Sequence, residues 1–418
     1  MSTKAHAEVQ PKSLKAFVLL EIASGIGILG GSMVFMLLPW TAVNLTHSSL
    51  SAGVMISLSN IPGLLLSPLM GSFIDKIGRH RASVITQLLP IVTSIAFPIC
   101  FGLGWMNLST LIILAMARSF LGGGAMSARK SLLPDTVHGT RVSLEKANSL
   151  HESIAAGGFA IGPALAASLI SVLGSFQTFW VVAAMEAFAV LVTLAIRVRE
   201  MREPHEVDEE AKHWVQYALT GFKVLFTVPS VLIIMTAFTL LATVYLPTEM
   251  VVLPNYYTGI HDPKAMGFLL FDMAIFTMIG SFLFERIAKR LSYANILRVA
   301  ILGVGLPMIP MAFLPPTPVM FICGAILGLA WGPLPPLVNT VVQRKIPASQ
   351  RGRVFSLETT IWTGGPMISM SLVGWGVDAL GVRLMYPILA FSVVIAGLLL
   401  STGKRVKELN TVDYTEEN

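Results

Sequence analysis

Arg118 stands inside the apolar run LIILAMARSFLGGGAM, and six carboxylic acids (Glu21, Glu152, Glu186, Glu249, Asp272 and Glu358) are set into similar stretches. An ionised side chain in hydrocarbon costs at least about 2.5–3.5 kcal/mol, so each of these residues is a functional candidate. Arginine keeps its proton at any accessible pH, so Arg118 needs a carboxylate, a substrate anion or water. The plainer alternative is a structural ion pair. A buried carboxyl that exchanges partners can take up and release a proton. Glu21, Glu152, Glu249 and Asp272 are therefore expected to be proton-coupling or substrate candidates beside Arg118, whereas Glu186, central in its segment, is expected to be a structural partner. A second group is GSFIDKIGRHR, where Gly71, Asp75, Lys76, Gly78, Arg79 and Arg81 gather opposite charges at a helix junction. Asp75, Lys76 and Arg79 are expected to form a gate that engages the facing half of the molecule in one state and releases it in another. A static topological anchor is the plainer reading. Gly71 and Gly78 would permit close backbone approach.

The chain contains no HExxH, GxSxG or Walker A sequence and no Cys–His cluster; His151-Glu152 lacks a second histidine. Cys100 and Cys323 both lie in apolar runs and read as small buried hydrophobes. No catalytic residues, metal or cofactor are expected. An ATP-driven pump would need a nucleotide-binding domain, of which the sequence has no sign, and the competing class, a membrane-embedded enzyme, lacks a catalytic constellation.

The elements that hold these residues follow from composition. Of 418 residues, 54% are hydrophobic and 12% charged, with mean hydropathy +0.73. Soluble domains carry about 25% charged residues, and half that charge cannot cover a 45 kDa globule. An all-α membrane protein is expected. Twelve spans of about 20 residues or more are predicted, at roughly 16–45, 50–72, 83–104, 108–131, 148–173, 177–197, 224–253, 265–286, 293–313, 317–342, 354–378 and 382–402. Of the 29 basic residues, all but Arg118, Lys264, Arg298 and Arg383 fall in one alternate set of loops and tails. By the positive-inside rule both termini are cytoplasmic and the span number is even. The net charge of +6 thus reflects topology, and no nucleic-acid partner is expected. The polar N-terminus runs into an apolar segment too long for a signal-peptide core and is expected to stay uncleaved.

The longest hydrophilic stretch contains EPHEVDEEAKH and divides six spans from six. It predicts two six-helix bundles, 1–197 and 224–418, the second with a cytoplasmic tail, joined by a cytoplasmic linker, 198–223. Trp214 to Leu225 suits an amphipathic helix at the interface. The halves look like repeats: Asp75 aligns with Glu285 and Arg79 with Lys289, and KANSL (Lys146 to Leu150) aligns with RVFSL (Arg353 to Leu357). Parallel repeats meeting at a midplane site describe one large transporter architecture. Met33, Phe35, Met36, Trp40, Tyr245, Tyr256, Trp331 and Trp362 are candidates to line a soft pocket there.

At Gly71–Arg81 the sequence resembles the major facilitator superfamily, whose signature is G-x-x-x-D-[RK]-x-G-[RK]-[RK]. Arg118-x-x-x-Gly122 resembles its membrane arginine motif, and Gly158-x-x-x-Gly162-Pro163 the Gly-Pro motif of its antiporters. LPWTAVNLTHSSLSAGVM and IPGLLLSPLMGSFIDKIGR look most like the drug–proton antiporter branch, which includes macrolide-efflux and siderophore-exporter proteins. Two departures stand out. The first span has no mid-helix Asp, and the C-terminal copy of the loop has Ser281 and Ala288 in place of glycines. The resemblance implies the major facilitator fold, with spans one, four, seven and ten around a cavity and span six at the periphery. It implies a monomer in the plasma (inner) membrane that exports a small amphipathic, drug-like compound in exchange for protons, in contact with membrane lipid. A lysophospholipid flippase or a siderophore exporter is the alternative.

Overall fold

The computed structural model of the chain describes residues 13–142, 144–198, 228–346, 348–402 and 404–410. The expected linker from residue 199 on, the interfacial helix at Trp214 to Leu225 and the start of the seventh span lie outside the described residues. So do the side chains at Gly71, Asp75, Lys76, Glu358 and Trp362. Twelve long helical units follow one another: α1 (Lys15–Thr46), α2 (Ser49–Ile77), α3 (Arg79–Gly102), α4 (Leu108–Val137), α5 (Leu144–Leu173) and α6 (Ser175–Leu194) in the first half. The second half holds α7 (Pro229–Gly259), α8 (Pro263–Ala288), α9 (Tyr293–Ala312), α10 (Thr317–Trp331, then Leu334–Lys345), α11 (Ala348–Leu380) and α12 (Val382–Thr402). Ten of them are long and apolar enough to cross a membrane, and α4 adds the apolar stretch Leu108–Phe120.

Helix starts are written in the sequence. The side chains of Ser48, Asn107, Asp262 and Ser292 accept hydrogen bonds from the first free amides of α2, α4, α8 and α9. The connections are shorter than the charge pattern suggests. Gly78 alone separates α2 from α3, at φ 94° and ψ 146°, a conformation essentially closed to residues with a side chain. Arg79 and Arg81 therefore begin α3 instead of sitting in a loop. The C-terminal counterpart has Ala288 at this position and ends α8 with an ordinary connection to the Ser292 cap. Gly174 (φ 87°) joins α5 to α6 and Gly381 (φ 78°) joins α11 to α12, at the same interval as Lys146 and Arg353. The repeat read from the basic loops thus extends to the glycine turns.

Helices α1–α6 pack on one another and α7–α12 on one another, giving two six-helix bundles. Glycine sets the closest approaches. On α10, Gly328 and Gly332 rest against the backbone oxygens of Met273 and Thr277 of α8, and Gly280 of α8 rests against Leu329 of α10. Backbone contact of this kind holds helices together where no hydrophobic effect can act between them. Between the bundles α2 packs on α11 and α5 on α8. Gly53 abuts the Met370 carbonyl, Gly374 abuts Ser49, and Gly267 abuts the Pro163 carbonyl. Ser57 Oγ bonds to the Met367 carbonyl and lies 3.0 Å from Ser371 Oγ. Asp378 of α11 accepts from the Ser49 amide (2.6 Å), the Leu50 amide (3.1 Å) and Ser48 Oγ (2.5 Å). One bundle's carboxylate thus caps a helix of the other, at the end of the molecule away from the basic loops.

Candidate functional site

A cavity of about 340 Å³ opens among α1, α2, α3, α4, α5 and α6, with Met250 of α7 reaching in from the other bundle. Ile28, Val34, Phe35, Leu38, Phe159 and Met250 supply apolar wall, and Arg118, Arg129 and Glu186 supply its charges. Both terminal nitrogens of Arg118 are engaged. Its Nη1 donates to Ser94 Oγ (2.7 Å), to the Pro90 carbonyl (3.1 Å) and to Glu186 Oε2 (3.4 Å), and its Nη2 donates to Glu186 Oε1. Ser94 Oγ in turn donates to Glu186 Oε2 at 2.9 Å. The carboxylate that Arg118 requires comes from α6. The Pro90 carbonyl also accepts from Thr93 Oγ1 at 2.8 Å. Glu186 has the expected partner role but does not stand apart at the periphery; it faces the cavity with Arg118.

The other acids separate. Glu21 is buried against His151 of α5, whose Nδ1 lies 3.2 Å from Oε1 and 3.3 Å from Oε2. Glu152 points away and meets Lys130 in an exposed pair at 2.5 Å, where such bridges contribute little. Glu249 accepts from Tyr245 at 2.5 Å within α7, and Tyr245 stacks on Trp331 of α10 at 4.6 Å. Asp272 of α8 faces Gly324 of α10, with Oδ2 buried and without a hydrogen-bond partner among the described residues. None of these four acids is among the residues that line the cavity beside Arg118.

Sequence reasoning missed two residues. Arg129 counts with the basic loop residues in the charge pattern, yet it lies within α4, is 4% exposed and lines the cavity. The signal was present: Arg118 and Arg129 stand three helical turns apart, hence on one face. His151 was weighed only as half of a metal motif, and its partner Glu21 is too distant in sequence for any spacing rule.

At the basic end, Arg79 Nη1 reaches Asp135 of α4 at 3.2 and 3.4 Å, in its own bundle. His80 Nε2 lies 2.9 Å from the Thr193 carbonyl of α6, and Arg81 is exposed. Beside Asp135 is a larger hollow of about 750 Å³, lined by helix ends of the first bundle alone. Gly158 and Gly162 seat α5 on α1: Ser32 Oγ donates to the Gly158 carbonyl at 2.8 Å, and Gly162 has no room for a side chain beside Ser32. Pro163 faces the opposite way, its carbonyl against Gly267 of α8. Met33, Met36 and Trp40 are packed in the core, while Phe35 lines the cavity.

Two bundles of membrane-spanning helices around a cavity with a buried ion pair define a multi-pass membrane transporter. The Major Facilitator Superfamily family model matches residues 20–369, and the chain belongs to that superfamily. It is 28% identical to the multidrug efflux pump Tap of Mycolicibacterium fortuitum over 406 residues, 96% of this chain and 97% of that protein. It is 25% identical to the staphyloferrin A transporter of Staphylococcus aureus over 81% of this chain and 82% of the other. A variant of the nucleoside transporter NupG has the same fold, with a TM-score of 0.77 at 16% identity, covering 93% of this chain and 99% of its own.

Proposed function

We propose that this protein is a proton-coupled exporter of amphipathic, drug-like organic compounds, working by alternating access from the cavity beside Arg118. The observation that carries the reading is the Arg118–Glu186–Ser94 group in the wall of a largely apolar cavity. Similarity to Tap along nearly the whole chain supports the efflux direction. In this reading the basic loops and both termini are cytoplasmic, the membrane is the plasma membrane, and the Asp378 cap closes the outer end. A proton reaching Glu186 removes the negative half of the pair and loosens Arg118, which couples proton entry to rocking of the bundles. The first bundle is 1–197 and the second 224–418. The gate at Gly71–Arg81 steadies one state, with Arg79 held by Asp135 in the other.

The test is flux in proteoliposomes carrying an internal pH dye, screened with cationic dyes, macrolides and siderophores under an imposed proton gradient. Substrate-dependent proton entry is expected in the wild type and its loss in Glu186→Gln. Substrate movement with no accompanying proton would overturn the coupling. The staphyloferrin A transporter favours a second reading, siderophore export, which the same screen separates.

A further inference from the structure

Arg129 is a buried cation with no direct ion pair among the described residues. It is 4% exposed, and among the described residues its one hydrogen bond runs from Nη1 to the Ala23 carbonyl at a long 3.5 Å, while its buried Nε has no partner. A guanidinium offers five N–H donors, and Arg118, on the same helix, spends its own on a carboxylate, a hydroxyl and a carbonyl. Arg129 forms no ion pair among the described residues. Of the acids in the first bundle, Glu186 acts on Arg129 through its charge but is bonded to Arg118, Glu21 lies against His151, and Glu152 pairs with Lys130. The cavity wall therefore holds two cations and one carboxylate, an excess of one positive charge in a setting where unpaired charge is costly. Gly27 makes the seat, because a β-carbon there would fall 2.5 Å from Nη1 and 2.8 Å from Nη2. Ile28, Val34, Phe35, Leu38, Phe159 and Met250 form the apolar surface of the same cavity.

We propose that Arg129 is the seat for an oxyanion, a carboxylate or phosphate head on an amphipath whose apolar body lies along this wall. The inference rests on reading the cavity as the substrate site and adds the charge of the substrate's head. Guanidinium matches a planar oxyanion through two parallel N–H donors, and the dry wall strengthens that match. The counter-charge missing from the protein arrives with the ligand.

The experiment uses the purified full chain and two fluorescent probes that differ in charge alone, 11-(dansylamino)undecanoic acid and its carboxamide. The acid is expected to bind at least about tenfold more tightly than the amide in the wild type. Arg129→Gln should bring the two affinities together, and Arg129→Lys should keep part of the preference. Gly27→Ala leaves the charge in place but unseats the guanidinium, so it should weaken the acid and spare the amide. Displacement of the acid by oleoyl lysophosphatidate at lower concentration would mark the head as a lipid's; failure to displace would mark a solute carboxylate. Equal affinity for acid and amide, or a preference surviving in Arg129→Gln, overturns this inference alone. Binding of neither probe overturns it together with the reading of the cavity.

Discussion

Glu186 and Arg118 are 6% and 12% exposed, and each is the other's reason for being tolerated inside the bundle. Removing one partner of such a pair leaves a buried charge and costs about 3–5 kcal/mol. Glu186→Ala is therefore expected to lower the thermal midpoint of the detergent-purified protein sharply, measured by loss of a monodisperse peak after heating. Glu186→Gln keeps a hydrogen-bonding group beside Arg118 and should fold, while losing proton-linked flux. An unchanged midpoint in Glu186→Ala would show that water or another acid satisfies Arg118. Sequence revealed that Arg118 needs a carboxylate but not which one, because the partner lies two helices away and helical periodicity says nothing about neighbours across a bundle. Arg129 was hidden differently. A charge near the end of an apolar run reads as a boundary, and only the continuation of α4 to Val137 places it inside.

At the scale of elements, the twelve spans were legible because apolar length and turn chemistry agree. Their ends were not, because charged residues continue α2, α3, α4 and α11 past the hydrocarbon-like core. Gly78 is the sharpest case, since one residue with φ 94° makes the whole turn between two helices. Gly78→Ala is expected to cost about 1–3 kcal/mol, read as a lower thermal midpoint, and a neutral result would show that the turn can adopt another conformation. The α8–α10 contact makes a second test. A side chain at Gly328 would strike the Met273 carbonyl. Gly328→Val should separate the two helices and reduce the yield of folded protein, whereas Gly157→Val, at a position with open space around it, should be tolerated.

For the whole molecule, the proposed alternating access makes the end held by Asp378 a balance between a few polar contacts and the free energy of opening. The Asp378 carboxylate caps α2 from the opposite bundle, and a cap is worth about 1 kcal/mol. Asp378→Ala should shift the equilibrium roughly fivefold toward opening at that end. Labelling of a cysteine placed at Ser57 by a membrane-impermeant maleimide reads the shift, and an unchanged rate would remove the cap from the balance. The halves are alike in their turns but not in their first helices. α1 runs unbroken from Lys15 to Thr46, whereas α7 passes through five residues of π-helix, Thr248–Val252, among them the cavity residue Met250. A π turn fits one extra residue into an α-helix without lengthening the span. Loss of a single residue there would restore α-helical pairing and leave Leu253–Gly259 in nearly its present register against Pro229–Pro247, because the turn already absorbs the extra residue. A one-residue deletion can thus reshape the wall at Met250 without displacing the helix on either side, a local freedom that the unbroken α1 does not share.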